Sequence, residues 1–410
     1  MEKFPLGFWN YKHADTQGPD EVDTWTHCGM TLTMSGEYDP DTCSKANMLA
    51  MLDEAHAQGM KIIICDRRSR WNGASTDPEG YRARFAEALE DFGSHPAVFG
   101  FHVGDEPDDE QQADAIAAIQ IQNEMAPHLV AFLNHLPFYE GAKARVGIDS
   151  SVPWPEYLAD FARKSGVKLL CYDHYGQMNP EDSGIQNYFL NMRMYSEAAK
   201  ACNIPWWTTL LSVGHFRYRC PSEDDIRWQL YTALASGCKG ILWFFFYMCT
   251  LHNFRLSPID EHGERTQTYA SISRIQRTFL KKEGPTMAKL TADKVAHVNR
   301  AFGGYPLFVI DDDPLVSRVV TTNGLPAIVT WYTHENGSKY LSVVNNSQAE
   351  SMNIDIILKG SHRVWRIDFG PVETEQIPAK WGDTTFRVDE KQTRMNTWLA
   401  PGQMELYRVE

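Results

Sequence analysis

A chain of 410 residues, 43% hydrophobic and 22% charged, has enough apolar material for one large domain and one small one. Its formal net charge of -14 argues against nucleic acid and anionic membrane as partners, because both require clustered Lys and Arg. No stretch approaches the ~18 apolar residues of a membrane-spanning helix, and the opening MEKFPLGFWN has no apolar secretion segment, so a cytoplasmic protein is expected.

Apolar runs rich in β-branched and aromatic residues alternate with helix-patterned segments along most of the chain. Strand-like runs stand at 6–11 and 28–34; a helix at 44–58, stopped by Gly59, leads to a third run at 61–66. A helix at 78–91 precedes the fourth run, 98–103, which closes in Gly104-Asp105-Glu106-Pro107. The segment 108–125 is acidic at its start and periodic afterwards, as a helix dipole favours. A fifth run at 129–133, a helix at 155–164, a sixth run at 167–172 and a long amphipathic helix at 185–202 follow. The seventh run is 205–213 and the eighth 240–247, with helices at 222–236 and 266–282.

Eight strand–helix alternations in about 285 residues predict a (β/α)8 TIM barrel over 1–285. An open doubly wound sheet is the competing arrangement, but no G-x-G-x-x-G phosphate loop follows the first run. Past Gly284-Pro285 the pattern changes, and from about Leu307 the helical periodicity stops. Short runs at 307–310, 327–332, 340–344, 352–358, 363–367 and 397–408 alternate with turns such as Asn323-Gly324 and Asn336-Gly337. They predict a small antiparallel β-sandwich over 286–410. None of the eight cysteines forms C-x-x-C, so free thiols in a reducing compartment are expected rather than a zinc site.

A barrel of this kind places its active site at the C-terminal ends of the strands, so the polar residues there are the candidates. They are Asn10 after the first run, Asp66 and Arg67 after the third, His102 within the fourth, and Asp105 and Glu106 at its end. Asn134 and His135 end the fifth, Asp173, His174 and Tyr175 the sixth, His215 follows the seventh, and Trp243 and Tyr247 lie in the eighth. Carboxylates, imidazoles and amides among many aromatics suit a sugar, whose hydroxyls seek hydrogen bonds and whose C–H faces seek rings. Cleaving a glycosidic bond requires a carboxylic acid to protonate the leaving oxygen and a second group acting as base, nucleophile or charge stabiliser. Glu106 fits the first role by position, although Asp-Glu-Pro also reads as an ordinary helix start. Asp173 is the next candidate. Asp66-Arg67-Arg68 reads either as a site for an anionic sugar group or as an ion pair at the rim. With no H-E-x-x-H, neither a metal nor any other cofactor is expected.

The stretch PAVFGFHVGDEP at 96–107 resembles the fourth strand of glycoside hydrolase barrels, family 42-like and related ones included. YDHY at 172–175, IRWQLYTALASGCKGILWF at 226–244 and WLAPGQMELY at 398–407 are similar to other parts of the same group. The resemblance implies an O-glycosyl hydrolase acting on a glycoside or oligosaccharide. The chain departs from that pattern in two places. Retaining glycosidases of this clan carry Asn-Glu at the fourth strand and a nucleophilic Glu at the seventh, whereas here Asp105 precedes Glu106 and the seventh run has no acid. Three possibilities stay open: Glu106 as acid with Asp173 as base or nucleophile, a substrate-assisted N-acetylhexosaminidase using the Asp105-Glu106 pair as families 20 and 123 do, or an inactive carbohydrate-binding protein.

Overall fold

The computed structural model describes residues 3–180, 183–250, 252–377 and 386–410. The chain divides into two compact units: Pro5–Cys220 with Cys238–Gln276, and Arg277–Glu410 with Pro221–Gly237 and the first few residues.

The first unit holds β1 (Leu6–Phe8), β2 (Leu32–Tyr38), β3 (Lys61–Asp66), β4 (Val98–Asp105), β5 (Val130–His135), β6 (Leu170–Asp173), β7 (Trp206–Leu211) and β8 (Ile241–Phe244). They form one parallel sheet in the order β1-β8-β7-β6-β5-β4-β3-β2, a (β/α)8 barrel whose seam lies between β1 and β2. At that seam threonine side chains join a backbone bond from Thr31 N–H to the Leu6 carbonyl at 2.8 Å. The hydroxyls of Thr31 and Thr33 accept from the N–H groups of Leu6 and Phe8 at 2.9 and 3.2 Å. Gly7 makes the approach possible, since a Cβ there would stand 1.8 Å from the carbonyl oxygen of Leu32. Inside, Leu32, Met34, Ile63, Phe132, Trp207 and Leu242 join one buried cluster that fills the barrel.

The connecting helices are α1 (Asp20–His27), α2 (Lys45–Ala57), α3 (Pro78–Ala88), α4 (Gln112–Met125), α5 (Ala142–Arg145), α6 (Trp154–Ser165), α7 (Ser183–Cys202), α8 (Glu223–Ala235) and α9 (Gln267–Lys281). Their starts follow from local chemistry: Ser44 caps α2, Asp77 caps α3 ahead of Pro78, and Ser222 with Asp225 forms a capping box on α8. The helix expected from residue 108 begins only at Gln112. Asp105-Glu106-Pro107 is therefore a strand end and loop, not a helix start.

In the second unit, α8 is grouped with two antiparallel sheets. One holds β10 (Val316–Thr321), β13 (Met352–Lys359), β16 (Phe386–Val388) and β17 (Gln392–Leu399); the other holds β9 (Leu290–Val298), β11 (Ala327–His334), β12 (Lys339–Asn345), β14 (Val364–Asp368), β15 (Val372–Glu375) and β18 (Met404–Val409). Val316, Ile354, Ile356 and Leu358 from the first sheet and Val329, Leu341 and Val343 from the second share one core, which makes the unit a β-sandwich. The strand expected at 307–310 does not form. Leu307 makes a single bridge to His297, and Leu307, Val309 and Ile310 are exposed. β9 and β10 do form, although charge in β9 and its edge position hide the first from a hydropathy reading.

Replacing Gly7 with Ala is expected to open the seam, at a cost of about 3 kcal/mol or more. Urea unfolding checks this; a loss under about 1 kcal/mol would mean that β1 can shift to admit a methyl group.

Candidate active site

The end of β4 leaves its ladder with a register shift between His102 and Gly104. Gly104 carries no Cβ because the Trp71 ring lies against it, where a Cβ would be 2.1 Å from the ring. Two residues on, Glu106 adopts a left-handed φ of 47°, a conformation a non-glycine residue holds only when its surroundings impose it. What imposes it includes a backbone bond from Glu106 N–H to the carbonyl of Asn134 at 2.9 Å.

Asn134 ties three strands together. Its Nδ2 donates to Oδ1 of Asp105 at 3.0 Å and to Oδ1 of Asp173 at 2.8 Å, so one amide on β5 holds the acids at the ends of β4 and β6. Glu106, Asp173 and the Tyr175 hydroxyl lie within electrostatic reach of one another. Arg145, on α5, places Nη2 3.5 Å from Oε2 of Glu106.

Three acids in one concavity cannot all ionise cheaply. Burial raises Asp105, and the charge of Asp173 raises it further; bonding from Asn134 and the nearby Arg70 and Arg145 oppose this. Burial and then the Asp105 charge raise Glu106, while Arg145 pulls it down. Burial and the charge of Glu106 push Asp173 up to about 7 against the bond from Asn134. Asp105 is exposed by surface area even though protein surrounds its carboxyl. Both hold for a residue that reaches water while the protein around its carboxyl penalises the charge. Burial first and acidic neighbours second therefore hold all three acids toward their protonated forms.

Rings line the same mouth. The Tyr11 hydroxyl is pushed well above its usual range, first by burial and then by the charges of Asp105 and Asp173, so it lies within their electrostatic reach. Tyr175 stacks on Phe244 with centroids 5.0 Å apart, and Tyr11 meets Phe244 edge-on at 5.9 Å.

The remaining candidates separate by which way their strand points them. His102 turns inward, edge-on to Trp9 at 5.2 Å; burial holds it well below its usual range, and the neutral ring donates from Nε2 to the Gly104 carbonyl at 2.9 Å. His135, one residue past Asn134, takes the opposite face and packs against Phe161 of α6 and Tyr195 of α7. Trp243 likewise follows the inward Leu242 and bonds Gln276 of α9 at 2.9 Å. Neither joins the acids. Asp66 is fully buried and accepts from the Arg68 guanidinium, which also pairs with Asp91, while the exposed Arg67 pairs with Asp39; the ion-pair arrangement is the one found. Asn10 accepts from the backbone of Lys12 and donates to Gln17 and the Met34 carbonyl, so it holds the loop that carries Tyr11. Tyr247 donates to Glu21 and accepts from Trp25; it lines a separate polar cavity of about 230 Å³ with Lys12 and Arg265. His174 folds over Gly176, where a Cβ would be 2.6 Å from Nε2. His215 packs beside Tyr175 at 5.7 Å and joins the ring cluster.

Tyr11 and Arg145 were not among the sequence candidates. Tyr11 follows a strand-end Asn and carried a usable signal; Arg145 ends the four-residue helix α5, which no pattern marks. Among the described residues, no group of three His, Cys, Asp or Glu is arranged to hold a metal ion, and no helix is long and apolar enough to cross a membrane.

No family model matches the chain, and no curated protein matches its sequence. Solved structures do resemble it. A glycoside hydrolase family 5 structure from Bacteroides vulgatus aligns over 99% of this chain and 88% of its own, with a TM-score of 0.57 at 13% identity. A family 39 glycoside hydrolase from the gut symbiont Bacteroides cellulosilyticus aligns over 100% and 82%, with a TM-score of 0.55 at 11% identity. Likeness at this level of identity establishes the shared fold.

A carboxyl raised to about 7 binds a proton in the folded chain that it has lost in the unfolded one, where its pKa is ~3.9. Stability therefore falls as pH rises between those two values and levels off above them. Asp173→Asn is expected to remove that slope. At pH 8 it should gain on the wild type by on the order of 1–3 kcal/mol relative to their difference at pH 4, read by urea unfolding. The same offset at both pH values would contradict the shifted proton.

Proposed function

We propose that the chain is a glycoside hydrolase in which Glu106 and Asp173 are the two catalytic carboxyls. The observation that carries this reading is their common attachment to Asn134, whose Nδ2 donates to Asp173 at 2.8 Å and whose backbone carbonyl accepts from Glu106 N–H at 2.9 Å. Glycosidic cleavage uses one acid to protonate the leaving oxygen and one carboxylate at the anomeric carbon, and it needs the pair to hold one proton between them. In this reading the shared proton passes to Glu106 as the sugar seats. Glu106 protonates the departing oxygen, the C–O bond breaks, and the Asp173 carboxylate bonds the anomeric carbon. Water then attacks that carbon, gives a proton to Glu106 and releases Asp173. A carboxylate that bonds the anomeric carbon gives retention, for which the two carboxyls stand about 5–5.5 Å apart, against about 6.5–9.5 Å for inversion. The similar solved structures named as glycoside hydrolases support the substrate class. A family 42-like affiliation rests on the sequence stretches alone.

A second reading is favoured by one feature. Asp105 reaches solvent beside Glu106 and is oriented by Asn134, as a group that steers a substrate acetamide would be. In that case the enzyme is a substrate-assisted N-acetylhexosaminidase and Asp173 is dispensable for the chemistry.

Glu106→Gln is expected to lower kcat by about 10²–10⁴ on whichever member of an aryl glycoside panel, N-acetylated ones included, the wild type cleaves. Unaltered turnover by that variant would sink the assignment. Proton NMR of the first product anomer should show retention; inversion would remove Asp173 as nucleophile. Asp173→Asn should be nearly as damaging as Glu106→Gln, whereas a mild effect confined to N-acetylated substrates would select the second reading.

A further inference from the structure

We propose that Phe216 is a stacking platform for a pyranose unit of an oligosaccharide beyond the bond being cleaved, which makes the preferred substrate a glycan chain rather than a simple glycoside. The inference rests on the hydrolase reading for the position of that bond and on the loop geometry for everything else.

Phe216 is 64% exposed, and a single exposed ring is ordinary on a protein surface. Its presentation is not. Phe216 has a left-handed φ of 47° at the corner of a turn closed by Tyr218 N–H donating to the His215 carbonyl at 2.9 Å. Asn253, from the segment after β8, grips that corner from both sides. Its Oδ1 accepts from Phe216 N–H at 2.6 Å, and its Nδ2 donates to the Phe216 carbonyl at 3.0 Å. Arg255 fixes the same two segments together. It exchanges backbone bonds with Gly214 at 2.9 and 2.8 Å, and its guanidinium donates to the carbonyls of Tyr218 and Asn253. Gly214 admits this crossing, because a Cβ there would be 2.9 Å from Nη2 of Arg255. Several polar contacts thus hold in place a ring that touches little itself.

Packed rings also locate Phe216 relative to the acids: it lies 5.0 Å from His215, which lies 5.7 Å from Tyr175, two residues past Asp173. Tyr175 and His215 are buried, so Phe216 is the exposed member of that series. Sugars present flat C–H faces to rings, and a polysaccharide presents such a face at every unit. An exposed ring held beside the strand ends therefore matches a further unit of a chain seated at the acids. A short polar substrate would leave Phe216 unused.

The test compares the wild type with Phe216→Ala and Phe216→Trp. Binding is read by calorimetry in the Glu106→Gln background, with glucose, cello-, xylo-, manno- and chitotetraose as probes. At least one tetraose should bind, Phe216→Ala should weaken it about tenfold, and Phe216→Trp should restore it. In the active protein, the ratio of kcat/KM on the matching tetraose to that on its aryl monoglycoside should fall about tenfold with Phe216→Ala, chiefly through KM. Binding of every tetraose undiminished by Phe216→Ala overturns the proposal, as does failure of all of them to bind. Tetraose binding that depends on Phe216, with no turnover of any glycoside, keeps this inference and removes the hydrolase reading.

Discussion

One side-chain amide determines what the mouth of this barrel can do. Asn134 donates to Asp105 and Asp173 at once, drawing the ends of β4 and β6 toward β5, and its backbone carbonyl holds Glu106 in a left-handed turn. Without such a donor, neighbouring carboxylates in a poorly solvated concavity would repel each other and turn outward. With it, they stay close enough that protonating one is easier than ionising all. The close approach of the acids and the proposed chemistry descend from that arrangement, while burial supplies the largest upward push on their pKa values.

The rest of the barrel serves to keep it rigid. Gly7 and the two threonine hydroxyls close the seam beside the β1 end that carries Tyr11, and Asn10 pins the following loop. Gly104 lets Trp71 lie flat against the strand just before the acids. These positions sit on strands and their immediate ends, where backbone bonds locate side chains more tightly than long loops do. The strained backbone at Glu106 is tolerated because the surrounding hydrogen bonds over-determine it.

Much of this was legible from residues alone. Apolar runs closing in polar residues marked the barrel, and two consecutive acids at the end of the fourth run marked the site. Asp105, Glu106, Asn134, Asp173 and Tyr175 come together as a list of strand-end polar residues suggests they should. Where the list overreached, the cause is strand geometry. Consecutive residues face opposite sides, so Asn134 inward forces His135 outward, and Leu242 inward forces Trp243 into the helical layer. Applying that period of two would have removed both candidates in advance. Arg68 pairs with Asp91, distant in sequence, as well as with the adjacent Asp66, and Arg145 reaches Glu106 from a short helix that no periodicity announces. The edge strand β9 was missed because its charges suit an exposed edge and break the apolar pattern.

The claim on which all this turns is that the acids held by Asn134 share protons near neutral pH. Carbon-13 NMR of the chain labelled at the aspartate carboxyl carbons, titrated from pH 3 to pH 9, measures it without any substrate. A resonance assigned to Asp173 by its absence in Asp173→Asn should titrate near pH 7, far above the bulk of the aspartates, and the same variant should lower the midpoint of the Asp105 resonance. Titration of every aspartate below about pH 5, where unperturbed carboxyls fall, would contradict the account.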